Sequence, residues 1–306
     1  MKIAYEEWNP NPVAQTDIAR AEQIFRQYAA QGYDLTLRQL YYQFVARGWI
    51  PNNMRSYKRL GDIINRARLS GRLDWDYIVD RTRNLVGNSH WDDPSSIISS
   101  AASSFALDKW LGQPVRVEVW VEKEALAGVI GRVAEQRDVD WFACRGYVSQ
   151  SEMWGAAQRL AGYLDAGQEV VILHLGDHDP SGLDMSRDIA DRLAMFLAPT
   201  HDADRVEVRR IALNRDQIDQ YRPPPNPAKL TDSRGSAYVR EHGNESWELD
   251  ALDPNVLSAL IDEHIDSVID PDLFGEQQTD EDQHRALLTA TSDRWDEVVQ
   301  LMGGDR

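Results

Sequence analysis

The chain has 306 residues, 42% of them hydrophobic, with a net charge of −17 and one cysteine. That is room for about two domains with a full-sized core, which argues against wholesale disorder. Cys144 alone excludes an internal disulfide or a cysteine-built metal site, no apolar run reaches the roughly 20 residues of a bilayer span, and "MKIAYEEWNPNPV" lacks the pattern of a secretory signal, so the expectation is a cytoplasmic protein with no membrane partner.

Residues 13 to 31 predict a helix, with Val13, Ile18, Ala21, Ile24, Phe25 and Tyr28 at helical spacing and Gly32 at its end. Thr36 caps "LRQLYYQFVARG", where Leu37, Leu40, Tyr41, Phe44 and Val45 form one apolar stripe. After the break "WIPNN", a third helix, "RSYKRLGDIINRARLSG", turns Tyr57, Leu60, Ile63, Ile64 and Ala67 inward and its arginines outward. "RLDWDYIVDRTR" alternates like a short strand or hairpin arm. Helices joined by short turns and followed by a strand resemble a winged helix, whose last helix enters the major groove of double-stranded DNA. Residues 1–83 are therefore read as a mainly α, winged-helix DNA-binding domain.

The charge distribution points the same way. An acidic total argues against non-specific DNA binding, yet the stretch from Arg38 to Arg72 holds eight basic residues and one acid. Arg55, Lys58, Arg59, Arg66 and Arg68 are candidate phosphate contacts, which would position DNA without reading its sequence. The plainer alternative is a solvated helix face.

"NLVGNSHWDDPSSIIS" reads as a connection, and "DPSSIISSAASSFALDKWLG" as a serine-rich linking helix within residues 84–114. From 115 the rhythm changes. "VRVEVWV" and "EVVILHL" are β-branched runs followed by helical stretches at 124–136 and 181–197. "DWFAC" and "RVEVRRIAL" are lesser strands, and 151–164 is another helix. Strands alternating with helices imply a mostly parallel α/β domain over residues 115–215. "YRPPPNPAK" is stiff and extended, and residues 216–306 form a mainly helical extension.

In open α/β sheets, function gathers beyond the carboxyl ends of the strands. There "VEVWV" delivers Glu122, and "VVILHLG" delivers Asp177 and Asp179. Residues two apart in extended chain point the same way, so the two aspartates can converge while His178 points elsewhere. Three clustered carboxylates repel one another unless a cation lies between them, and hard oxygen ligands at an open site suit Mg²⁺. Capping of the next helix by "DPSG" accounts for one aspartate, but not for both together with Glu122. Lys123 either steadies a phosphate or is solvated. Glu245 and Glu248 read as surface helix-start residues sooner than as a late carboxylate, and His174 as packed.

"VEVWVEKEAL", followed about 50 residues later by "LGDHDPSGLD", resembles the Toprim domain, with its strand-end Glu and its Asp-x-Asp. "VEK" and "D-x-D-P-x-G" are most similar to the topoisomerase VI A subunit and the related meiotic double-strand-break protein family. "CRGYVSQ" is similar to that family's Lys-Gly-Tyr-Pro segment, with Arg145 in place of the lysine and Val148 in place of the proline. The family sets a winged-helix catalytic domain before the Toprim domain. The resemblance covers roughly residues 34 to 195 and leaves the tail beyond about 215 unaccounted for.

The resemblance implies a DNA-cleaving enzyme. "RQLYYQ" matches the family's Arg-x-x-Tyr-Tyr-like motif, whose second tyrosine attacks DNA; here that is Tyr42, with Arg38 beside it. Helical geometry leaves Tyr41 on the apolar stripe and turns Tyr42 about 100° away, over Arg38. A phenol of pKa about 10 is a poor nucleophile at neutral pH, and a guanidinium favours the phenolate while also gripping phosphate. The implied reaction is a Mg²⁺-dependent transesterification leaving a 5′-phosphotyrosyl end, with Glu122, Asp177 and Asp179 holding the ion. A homodimer is implied too, as are a nucleoid-associated location and, for strand passage, an ATPase subunit in trans. Two alternatives stay open: a Mg²⁺-dependent nuclease in which water attacks, and a non-catalytic DNA-binding or partner protein.

Overall fold

The protein is described here from a computed structural model covering residues 2–33, 35–78, 90–228, 232 and 234–303. Helices α1 (Pro12–Ala29), α2 (Leu37–Ala46), α3 (Met54–Leu69) and α4 (Pro94–Ser104) come first. Then β1 (Val115–Val121), α5 (Ala127–Gln136), β2 (Asp140–Ala143), α6 (Gln150–Asp165), β3 (Glu169–Leu175), α7 (Pro180–Leu197) and β4 (Val206–Ala212) alternate. The chain continues through α8 (Arg215–Tyr221), β5 (Asn226–Pro227), α9 (Gly235–His242), β6 (Glu245–Ser246), α10 (Pro254–Asp266), α11 (Pro271–Asp293) and α12 (Trp295–Leu301). It divides into two compact units, Met1–Arg83 with Val117–Ser267, and Asn84–Arg116 with Val268–Arg306.

In the first unit, α1 starts on the Asn11 cap with Pro12 in its first turn. Thr36 and Gln39 close a reciprocal capping box on α2. Asn53 caps α3 through the Ser56 amide. The three helices share a core of Phe25, Tyr28, Leu40, Phe44, Leu60 and Ile64. Each such side chain contributes about 1.5–3 kcal/mol when fully buried. The face of α3 turned away from this core exposes Arg55, Lys58, Arg59 and Arg66.

The strand expected from "RLDWDYIVDRTR" does not form where it is described. Trp75–Tyr77 make a single 3-10 turn, started by the Asp74 side chain accepting from the Asp76 amide. That local bond diverts the backbone from a ladder. Ile78 makes one isolated bridge to Leu35, and residues 79–83, the rest of the expected wing, lie outside the described residues.

The sheet order is β2-β1-β3-β4, and β1 with β2 and β3 with β4 run parallel. From β1 the chain moves out to β2 and then returns to β3 on the other side of β1. The strand order therefore reverses between β1 and β3, which is where open α/β sheets place a crevice. Both strands are buried along nearly their whole length, as the near-continuous apolar runs foretell. Glu118 is a charge within this buried run, 1% exposed, and accepts from Trp120 Nε1 at 2.8 Å and from Arg159 Nε and Nη2 at 2.8 and 2.9 Å.

In the second unit α4 packs with α11. The linking helix stops at Ser104, short of its expected length, where Phe105 turns extended, and the Ser103 and Ser104 hydroxyls bond back to the Ser100 carbonyl. Beyond it, Lys109 Nζ and the Leu107 amide meet the buried Glu281 of α11 at 2.6 and 2.8 Å.

Candidate functional site

Pairing runs to the last residue of both central strands. The Glu122 amide donates to the Leu175 carbonyl at 2.8 Å and the Gly176 amide to the Ala212 carbonyl at 2.8 Å. Immediately beyond, the Glu122 carboxylate meets the Asp177 backbone. Glu122 Oε2 accepts from the Asp177 amide at 2.8 Å. Gly176 makes the approach possible, since a Cβ there would stand 3.1 Å from Glu122 Oε2 and 3.2 Å from Arg210 Nη1. Gly182 does the same below the loop, where a Cβ would fall 2.2 Å from the Asp177 carbonyl oxygen.

Asp177 faces a cation supplied by the chain itself. Its Oδ1 pairs with Lys123 Nζ at 2.8 Å and accepts from the Leu249 amide at 2.8 Å. Lys123 reaches on to Glu248 Oε2 at 2.9 Å and Asp250 Oδ1 at 3.6 Å. Arg38 of α2 continues the chain of charges, bonding Glu248 Oε2 and standing 2.7 Å from Asp250 Oδ2. Its guanidinium lies 5.9 Å from the centre of the Tyr42 ring. Both oxygens of Asp250 are buried without hydrogen-bond geometry, so these contacts are ionic only.

Asp179 has a different role. Its Oδ1 accepts from the Ser181 amide, the Ser181 hydroxyl and the Gly182 amide at 2.9, 2.7 and 2.7 Å, which makes it the cap of α7. Capping thus accounts for Asp179, while Asp177 is turned toward Lys123.

Beneath the loop, the Arg210 guanidinium donates to the carbonyls of Gly176, Asp177 and Gly182 at 2.9, 2.7 and 2.8 Å. His178 clamps the loop from above. Its amide donates to the Trp247 carbonyl at 2.8 Å, the Trp247 amide returns a bond at 3.0 Å, and its Nδ1 lies 2.9 Å from the Tyr238 hydroxyl. The segment around Trp247 and Leu249 is therefore part of the site.

The electrostatics follow the burial. Loss of water, reinforced by Asp177, pushes the Glu122 carboxyl up to about 7. Burial also raises Asp177, against the pull of Lys123. Glu248 is held down to about 2 because Lys123 and Arg38 outweigh its desolvation. Burial lowers His178 to about 4 and Arg210 to about 10.

The two tyrosines are both buried, at 4% exposure each. Tyr41 donates to Asn52 Oδ1 at 2.9 Å. Burial, then the charge of Glu248, raises the Tyr42 phenol above its usual value, and the opposing effect of Arg38 is smaller. Of the candidate phosphate contacts, Arg55 and Lys58 are exposed on α3. Arg59 bonds Asp17 at 2.8 Å, Arg66 lies 4.6 Å over Trp8, and Arg68 donates to the Trp75 carbonyl at 3.1 Å.

A hard cation fits this donor set in part. Among the described residues no group of three His, Cys, Asp or Glu side chains is arranged to hold a metal ion. Glu122 Oε2 nevertheless reaches the Asp177 amide, and burial first, with the Asp177 charge second, raises the Glu122 carboxyl. Two carboxylates and retained waters are an ordinary setting for Mg²⁺. Asp179 gives its Oδ1 to the α7 cap.

Three participants escaped the sequence reading: Glu248 as a network carboxylate, Asp250, and Arg210. The first two carry a signal in hindsight, since "WELD" repeats the two-residue spacing of Asp177 and Asp179. Arg210 shows as a charge inside the strand "VEVRRIA". Neither a protein-family model nor a curated protein matches the chain. Among the described residues no helix is long and apolar enough to cross a membrane.

Proposed function

We propose that the chain is a divalent-cation-dependent enzyme that cleaves phosphodiester bonds in DNA, with water as the attacking group. One observation carries the reading: Glu122 and Asp177 converge at the reversal point of the sheet, with Glu122 Oε2 on the Asp177 amide. These two carboxylates would hold the ion. A bound Mg²⁺ would supply charge neutralisation at phosphate and an acidified water. Lys123 and Arg38 place two cations beside the same carboxylates and can take up phosphate oxygens as a strand enters. The outward arginine and lysine side chains of α3 support double-stranded DNA as the partner. Burial of Tyr42 favours water over the phenol as nucleophile.

A second reading keeps Tyr42 as the nucleophile, forming a 5′-phosphotyrosyl end, and with it the homodimer and an ATPase subunit in trans. It is favoured by the position of Tyr42 and Arg38, which line one cavity together with Glu248. Supercoiled plasmid incubated with Mg²⁺ or EDTA, then extracted with and without protease, separates the two. The expected result is Mg²⁺-dependent nicking, lost in Asp177→Ala and Glu122→Ala and kept in Tyr42→Phe, with no protein bound to the cut ends. Protein-linked ends that vanish in Tyr42→Phe establish the covalent route. Nicking undiminished in both carboxylate variants ends both readings.

A further inference from the structure

We propose that the cavity beside the charged network seats a single nucleobase, so that the strand being processed reaches the site with one base unpaired. The inference rests on the nuclease reading for the presence of a strand, but its chemistry stands on the cavity. The volume is about 180 Å³, well under the roughly 300–1,000 Å³ of pockets for larger organic ligands and suited to one ring system.

Aromatic rings form much of the lining. Tyr41 stands edge-on to both Tyr42 and Tyr57, with centroids 5.2 Å away in each case and interplanar angles of 65° and 82°. Such a cluster takes a further planar π-system by stacking or edge contact. Apart from Met54, the remaining lining is polar. Asn52 is fully committed, accepting from Tyr41 and donating to Asn226 Oδ1 at 2.6 Å. By contrast, the Tyr57 hydroxyl and the side-chain NH₂ groups of Asn53 and Asn226 have no hydrogen-bond partner among the described residues. Two amide donors and a hydroxyl beside tyrosine rings match the mixed edge of a nucleobase. A wholly apolar occupant would leave them unpaired.

The position fits as well. Glu248 lines the cavity and also bonds Lys123, which bonds Asp177. A base held here therefore keeps its own backbone next to the carboxylates. Met54, 66% exposed, stands among the lining residues and offers a way to close the space without touching the core.

The test uses the full chain and a short single-stranded oligonucleotide carrying one 2-aminopurine. An abasic copy and the same base paired in a duplex serve as comparisons. The expected results are quenching of the unpaired fluorescent base on binding and about tenfold weaker binding of the abasic strand. Both effects should disappear in Met54→Trp and weaken in Tyr57→Ala. Equal affinity for the base-bearing and abasic strands, with no quenching, overturns the proposal. Displacement of the oligonucleotide by an equal concentration of nucleoside monophosphate supports a nucleobase seat and overturns the strand as its source. Plasmid nicking with equal affinities leaves the nuclease standing without the base seat. Discrimination without nicking under any condition leaves the base seat standing without the nuclease.

Discussion

Two charged regions of the first unit are built on opposite plans. On α3, Arg55 and Lys58 point outward, each solvated and free of its neighbours. At the carboxyl end of the sheet, the buried Asp177 and Asp250 and the half-buried Glu248 share Lys123, and Arg38 joins Glu248 and Asp250. The first plan makes each charge cheap and replaceable. The second makes each charge a condition for the others, because removing one partner strands a buried ion. A surface that meets a polyanion gains from the first, and a site that must hold fixed groups at fixed spacing gains from the second.

The sharpest way to break that comparison is Lys123→Ala. It leaves Asp177, Glu248 and Asp250 without their common cation, and a loss of about 3–5 kcal/mol in denaturant unfolding is expected. A loss within the roughly 0.5 kcal/mol typical of surface changes would erase the distinction.

The next effect is a pH dependence. His174, fully buried on β3 with its Nδ1 2.8 Å from the Ser186 hydroxyl, is lowered from 6.5 to about 3 by burial and by Arg210. The unfolded chain takes up a proton below 6.5 that the folded chain refuses. Its contribution is therefore whole above about 6.5 and shrinks as pH falls toward 3, by at most about 1.4 kcal/mol per pH unit. Stability measured from pH 7 to 4 should fall less steeply in His174→Gln than in wild type. Parallel curves would show that His174 does not titrate between the two states.

The smallest effect is on α3. Lys58→Ala should leave the unfolding midpoint unchanged and lower the slope of log affinity for DNA against log salt by about one. Arg59→Ala should cost stability as well, since Arg59 bonds the buried Asp17 at 2.8 Å. If both variants act alike on stability, the contrast between free and committed cations on this helix is wrong.

These contrasts also explain what could be read from the sequence. Helices α1, α2 and α3, the β1 and β3 strands, and the Thr36 cap follow from periodicity and capping chemistry, which are properties of contiguous residues. The placement of Glu122 and Asp177 at strand ends follows as well, because a strand's end is visible in its own residues. The network is not local. It joins Arg38, Lys123, Asp177 and the stretch from Trp247 to Asp250, segments separated by scores of residues, and no periodicity relates them. The alternating pattern after Arg72 misled for a related reason: Asp74 closes a turn through its own side chain, and alternation does not register that bond.

The paired bonds between His178 and Trp247 have a consequence for biosynthesis. All four strands of the parallel sheet are synthesised before Trp247, so the loop bearing Asp177 waits, with one side unsupported, for a segment about 70 residues downstream. A message cut short in that interval encodes the sheet and its acidic loop without the backbone donor that anchors Asp177, and completion of the site is thereby tied to synthesis of the Trp247–Leu249 segment.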